Sequence, residues 1–234
     1  MELKRLPPGV FARFNIEELK PLYDLSTAME TKSVPSTALV ISPDDTLDGY
    51  QSMNSRLAGN IARQIELGED YRDLIDEILD PLLREHIETY DYFKEVSILD
   101  GNSPLRLTQA WMVLQEKYEF NPVHAHSGVF SFVIWLKIPY TREDELNHPI
   151  SVNSNTPCAG QFSYILSDCN NDIVAEFIET DKELEGCAFV FPSKMNHCVY
   201  PFYTSDDYRI SIAGNYRVRV PDEVEEDRLL LGNY

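Results

Sequence analysis

Near residue 96 the hydrophobic pattern of this chain changes period, and that change narrows the folds open to it. Upstream, apolar residues recur at helical spacing. Downstream, short runs rich in Val, Ile, Phe and Tyr alternate with turn residues, over 105–115, 128–138, 161–167, 173–178, 187–191, 198–202 and 208–218. Roughly seven strands at this spacing build an antiparallel sandwich or jelly roll. The run at 128–138 (GVFSFVIWLKI) is almost continuously apolar. Its β-branched and aromatic content, with Pro139 behind it, marks a central strand rather than a buried helix. The expected fold is mainly β with α: a double-stranded, cupin-like jelly roll with supporting N-terminal helices.

Three stretches follow, read as one integrated domain: a mixed helical segment over 1–95, the jelly-roll core over 96–220 and an acidic tail over 221–234 that docks peripherally. Pro7, Pro8, Pro21, Pro35 and Pro43 break residues 1–52 into short pieces, with a strand expected at 37–41 (TALVI). Leu57, Ile61, Ile65 and Leu67 suggest a helix capped by Asn54 or Ser55 and stopped at Gly68. A second amphipathic helix starts at Asp70 and carries Leu74, Ile75, Ile78, Leu82, Leu83 and Ile87; Pro81 is expected to kink or split it.

Charge excludes some partners. With 39 acidic against 20 basic side chains the net charge is −19, so nucleic acid and anionic lipid are repelled. The acidity reads as a solubility device. No apolar run approaches the ~18 residues of a membrane span, and the first residues lack the apolar core of a secretory signal. Cys158, Cys169, Cys187 and Cys198 form no C-x-x-C pair and read as reduced thiols packed as small hydrophobes. The expected location is the cytoplasm.

The chemistry concentrates in the histidines. His124 and His126 are two apart, so on an extended chain both rings leave on one side and reach one metal ion. His197 follows the run Phe189-Val190-Phe191-Pro192-Ser193 and completes a three-ligand set that leaves open metal positions. His-x-His alone is a weak signal. His86, on a helix, and His148, in a polar loop, read as surface residues. Arg209 and Ser211 repeat the two-residue spacing; the guanidinium fork holds a carboxylate with paired hydrogen bonds and the hydroxyl adds another. Trp111, Phe132 and Trp135 are placed either along the pocket or in the core.

Four segments in order resemble the iron(II)- and 2-oxoglutarate-dependent oxygenases, in particular the prolyl-4-hydroxylase-like members of tailed phages of marine cyanobacteria. These are Trp111 with Asn121-Pro122-x-His124-x-His126-Ser127-Gly128, then Ser131-Phe132-Val133-Ile134-x-Leu136-x-Ile138-Pro139, then Phe191-Pro192-Ser193-x-x-x-His197-x-Val199-x-Pro201-Phe202, then Arg209-Ile210-Ser211-Ile212-Ala213-Gly214-Asn215. The resemblance implies a double-stranded β-helix with Fe(II), 2-oxoglutarate and O₂ as cofactor and cosubstrates. It places His124, His126 and His197 at the metal and Arg209, assisted by Ser211, at the distal carboxylate of 2-oxoglutarate. Tyr164 is a further candidate for that carboxylate. No protein general base is assigned. In a phage the location would be the host cytoplasm.

The sequence departs from the family at His126, where most members carry Asp or Glu. Three readings stay open: three histidines hold Fe(II), a carboxylate from elsewhere (Asp168 first) replaces one of the pair, or the metal differs. Imidazole suits Zn, Cu, Fe and Ni alike. The expected activity is hydroxylation of a small molecule or of a protein side chain such as proline. The alternatives are a cupin-type metal enzyme without 2-oxoglutarate and a non-enzymatic jelly-roll protein.

Overall fold

The computed structural model describes residues 2–6, 9–30, 46–47, 50–90, 105–167 and 170–218. The expected strand at 37–41, Asp168, Cys169 and the tail over 221–234 lie outside them. Among the described residues thirteen strands, β1 Glu2–Leu6, β2 Gly9–Arg13, β3 Thr46–Leu47, β4 Tyr50–Gln51, β5 Arg63–Glu66, β6 Leu105–Gln115, β7 Asn121–His124, β8 Phe130–Lys137, β9 Phe162–Ser167, β10 Ile173–Ile178, β11 Cys187–Pro192, β12 Asn196–Val199 and β13 Arg209–Val218, accompany three α-helices, α1 Lys20–Glu30, α2 Glu69–Tyr90 and α3 Arg142–Asn147. A seven-stranded sheet runs β1-β2-β11-β8-β13-β6-β5 and a four-stranded sheet β10-β9-β12-β7, while β3 and β4 form a hairpin. All pairings are antiparallel. This is the jelly roll.

Three layers result, and strand parity assigns each residue to its layer. On the large sheet Met112, Leu114, Ile134, Leu136, Ile210 and Ile212 face α1 and α2, packing with Leu22, Leu25, Ile75, Leu79 and Leu82. The opposite parity, Val133, Trp135, Phe189 and Phe191, meets Phe162 and Tyr164 of the small sheet. Strand β8 is buried along both faces except at Lys137, which explains its unbroken apolar sequence.

The N-terminal expectations need correction. Residues 54–67 do not form a helix. Asn54–Arg56 makes a single 3₁₀ turn and Arg63–Glu66 is strand β5, the edge of the large sheet. The apparent helical spacing mixed two clusters: Leu57 and Ile61 pack with Trp111, whereas Ile65 and Leu67 join the helix-side core. Helix α1 was unexpected; Pro21 lies in its first turn, where no amide donor is needed. Helix α2 continues through Pro81, which is exposed, so the carbonyl it leaves unbonded faces water. The strand expected at 198–202 occupies Asn196–Val199 instead, because Pro201 cannot donate to a ladder.

His86 is not a surface residue. It is 0% exposed and its ring lies 4.7 Å from Phe130. Its place on the buried stripe of α2, one turn beyond Leu82 and Leu83, puts it there. His148 is half-buried and stacks on Tyr203 at 5.2 Å. Cys158, Cys187 and Cys198 are free thiols. No helix among the described residues is long and apolar enough to cross a membrane.

Candidate metal centre and acid-binding cavity

The two sheets enclose a cavity of about 60 Å³. Parity supplies its walls: Trp111, Val113 and Gln115 from β6, Arg209, Ser211 and Ala213 from β13, and Val199 from β12. Arg209 pairs with Gln115, Ser211 with Val113 and Ala213 with Trp111. Trp111 and Trp135 are at once core residues and cavity lining, and Phe132 lines it while packing in the helix-side core.

His124 and His197 face each other across the β7–β12 ladder, so their side chains leave on one face. His126 stands just past β7, where its amide donates to the Ser193 carbonyl at 2.8 Å and ties this loop to the β11–β12 turn. Gly128 then reverses the chain into β8 with φ of +124°; a Cβ there would meet the Tyr216 carbonyl oxygen at 2.6 Å. The three imidazoles converge: one ligand nitrogen from each lies within 4.8 Å of the others.

Their hydrogen bonds select the ligand atom. His124 Nδ1 donates to the Pro122 carbonyl at 2.7 Å and His197 Nδ1 to the Met195 carbonyl at 3.0 Å. Each ring therefore turns its Nε2 lone pair inward. His126 Nε2 and His197 Nε2 stand 3.2 Å apart, a spacing at which two lone pairs repel unless a proton or a cation lies between them. Burial lowers all three pKa values, helped at His126 by His197 and His124 and at His197 by His124; His126 falls to about 3 and His197 to about 4. Neutral imidazoles are the metal-binding form. Two metal–nitrogen bonds of ~2 Å bring ligand atoms within about 4 Å of each other, so from a span of 4.8 Å the rings close on the ion by under about 2 Å. The donor set thus fits a divalent transition metal.

The Arg209 end is built differently. The guanidinium is 3% exposed. Nη1 donates to Tyr140 Oη at 2.6 Å and to the Gly160 carbonyl at 2.8 Å, Nη2 to Gln115 Oε1 at 2.5 Å and to the Tyr200 carbonyl at 3.3 Å. Tyr140 Oη in turn donates to the Gly160 carbonyl at 2.6 Å. Burial raises the Tyr140 pKa against the opposing pull of Arg209, so the phenol keeps its proton. The turn leading into β13 is pinned by the buried Glu145 carboxylate, which accepts from the Tyr203 and Thr204 amides and from Thr204 Oγ1 at 2.6–3.1 Å.

Five of the six expected site residues therefore line one cavity: His124, His126, His197, Arg209 and Ser211. Tyr164 does not. It sits beside His197 on β9 but packs 6.4 Å from Phe189 in the aromatic core. Tyr140 and Gln115 were missed. Gln115 was findable, since it continues the Trp111, Val113 parity as a polar residue on an apolar face. Tyr140 lies beyond the end of β8, where no period reaches.

A family model described as "Putative 2OG-Fe(II) oxygenase" matches residues 109–215, a stretch that contains the three histidines, Arg209 and Ser211. Residues 109–215, the β core of this chain, are thus similar to the 2OG-Fe(II) oxygenases. The match, with the three-histidine cluster inside it, supports an oxidoreductase that uses Fe(II), 2-oxoglutarate and O₂. Solved structures similar to this chain include a Pseudomonas putida prolyl-4-hydroxylase, at 16% identity and TM-score 0.48 over 90% of this chain and 93% of that one. A prolyl hydroxylase from Trichoplax adhaerens, in complex with a hypoxia inducible factor peptide fragment, matches at 13% and 0.47 over 95% and 87%. CytC3 with Fe(II) and alpha-ketoglutarate matches at 15% and 0.40 over 89% and 72%. No curated protein matches this chain.

Proposed function

We propose that this chain is an Fe(II)- and 2-oxoglutarate-dependent dioxygenase that hydroxylates a small molecule or a protein side chain, with His124, His126 and His197 as the metal ligands and Arg209 with Ser211 at the distal carboxylate of 2-oxoglutarate. The observation that carries this reading is the convergence of three inward Nε2 atoms and a buried guanidinium on one cavity between the sheets. When bound, the iron and its cosubstrate supply the oxidation: 2-oxoglutarate loses CO₂ to become succinate, one oxygen atom of O₂ entering succinate and the other the substrate C–H bond.

The chain's own contribution is placement. The carbonyls of Pro122 and Met195 hold two rings in the metal-binding tautomer. Tyr140 and Gln115 hold the guanidinium still, Gln115 being itself fixed by the bond from its Nε2 to the Glu119 carbonyl at 2.6 Å. Trp111, Trp135 and Phe162 exclude water, which strengthens every charge interaction inside. Three neutral imidazoles leave the metal with more positive charge than a carboxylate ligand would, which favours a dianionic cosubstrate.

An anaerobic titration with Fe(II) and 2-oxoglutarate tests the proposal. The expected result is a weak visible charge-transfer band, followed on admission of air by succinate. A flat spectrum with no succinate would overturn it.

A further inference from the structure

A second cavity, of about 170 Å³, lies on the far side of the histidines and shares Trp111, Asn121, His124 and His126 with the inner one. Its outer wall is the turn carrying Arg56 and Leu57. Gln64, on the parity of β5 that faces Val113, lines it. That side chain is 1% exposed, and its Nε2 has no hydrogen-bond partner among the described residues. A buried amide donor left unpaired is costly, and nothing in the packing returns that cost. At the wall of a cavity, such a donor is open to a ligand's acceptor.

The local backbone orients it. A Cβ at Gly59 would stand 2.2 Å from Asn121 Oδ1 and 3.1 Å from Gln64 Oε1. Only glycine lets this loop close against both amides, and the Gln64 carboxamide turns its oxygen to the loop and leaves its N–H groups for another acceptor. Charge says what kind. No carboxylate is among the described residues lining this cavity, although the chain holds 39 acidic side chains to 20 basic. The cation present is Arg56, whose Nη1 lies 3.7 Å from Glu66 Oε2 at the rim.

We infer that this outer cavity is the substrate subsite and that it selects a substrate bearing a carboxylate, which Gln64 and Arg56 hold so that its carbon skeleton lies along Trp111 toward the histidines. The inference rests on the oxygenase reading for the reaction, not for the binding. The carboxylate belongs either to a small free acid or to the C-terminus of a peptide.

Trp111 reports on the site. The protein, loaded with Zn(II) and saturated with 2-oxoglutarate to fill the inner cavity, is titrated with N-acetyl amino acids and with their N-methylamides, following tryptophan fluorescence. Short peptides with free and with amidated C-termini form a second arm. The expected result is quenching by free acids and not by their amides, weakened at least about tenfold in Gln64→Leu and in Arg56→Met, the worth of one hydrogen bond to a charge. Response to the acetyl amino acids identifies a small acid; response to free-ended peptides alone identifies a chain terminus. A thermal melt guards against misfolding: Gln64→Leu is expected to melt no lower than wild type, since it removes an unpaired buried donor, whereas a structural glutamine would cost stability. Equal binding of acids and amides, no binding by any probe, or acid binding untouched in both variants overturns the inference. The Fe(II)–2-oxoglutarate band is recorded on the same proteins. Its absence in wild type sinks the oxygenase reading, while a normal band without acid binding sinks the subsite alone.

Discussion

The two ends of the inner cavity come from different sheets, Arg209 and Gln115 from β13 and β6 and His124 and His197 from β7 and β12, and they are satisfied in opposite ways. At the Arg209 end the guanidinium bonds to protein groups: Tyr140, Gln115 and the carbonyls of Gly160 and Tyr200. At the histidine end three dehydrated imidazoles turn Nε2 atoms on one another, two of them 3.2 Å apart. One end is complete as folded and contributes to stability. The other brings two ring nitrogens together where a proton or a cation must lie between them. On the proposed function, the contrast separates a residue that positions a cosubstrate from residues that wait for a metal, and it predicts that mutations at the two ends fail in different assays.

The largest effect is expected at Arg209. Arg209→Met leaves Tyr140 Oη, Gln115 Oε1 and the Tyr200 carbonyl without this donor, while the Gly160 carbonyl keeps Tyr140, at about 1–3 kcal/mol for each group not rescued by water. Chemical denaturation should show a loss of several kcal/mol and calorimetry no 2-oxoglutarate binding, with Zn(II) affinity retained. A variant as stable as wild type would erase the contrast. Next is His197→Ala. It removes one of three metal ligands, so metal affinity should fall by more than ~100-fold, beyond the cost of disturbing a mere supporting hydrogen bond. Metal-free stability should fall by only about 1–3 kcal/mol, the cost of truncating a buried ring that packs on Phe162 and Phe191. Competition with a chromophoric chelator reads the first quantity and a urea melt without metal the second.

A smaller effect sharpens the comparison from within the Arg209 end. Tyr140→Phe deletes the hydroxyl that accepts from Nη1 and donates to the Gly160 carbonyl. About 1–2 kcal/mol of stability should go, and 2-oxoglutarate affinity should drop by roughly tenfold as the guanidinium loses its fixed plane. Calorimetry checks both. Unchanged cosubstrate affinity would mean that Gly160 and Tyr200 suffice to hold the fork.

The legibility of the molecule follows the same division. Runs of β-branched and aromatic residues between turn residues exposed the jelly roll, because both faces of β6, β8 and β13 are buried or line a cavity. The Arg-x-Ser pair was readable because one face of β13 carries both members, whereas of the His-x-His pair only His124 lies on the strand and His126 reaches the same point from just past it. What was not legible lacks a period. Strand β5 is four residues long, so Leu57, Ile61, Ile65 and Leu67 mimicked a helix while serving two clusters. His86 looked like a surface residue since a single polar residue on a long helix gives no sign of the aromatic ring across from it. Tyr140 enters the site from a connection that no repeat pattern describes, and Gln115 was passed over although its parity pointed inward.

Tyr164 supplies the smallest and most discriminating test. From sequence it stands on a strand facing the core, in reach of the carboxylate that Arg209 holds. In the structure it neighbours His197 along the sheet, yet its ring packs with Phe189, and Phe162, two residues earlier on the same face, takes the place at the cavity wall. The hydroxyl therefore has no path to the cosubstrate without breaking the aromatic layer. Tyr164→Phe keeps the ring and should change both 2-oxoglutarate and metal affinity by less than about twofold, with stability moving by no more than about 1 kcal/mol for the altered hydroxyl environment. Paired with Tyr140→Phe, which removes the same atom at the other side of the sheet, it separates a tyrosine that touches the guanidinium from one that only fills space. A tenfold loss of 2-oxoglutarate affinity in Tyr164→Phe would return that residue to the site and require the small sheet to shift when the acid binds.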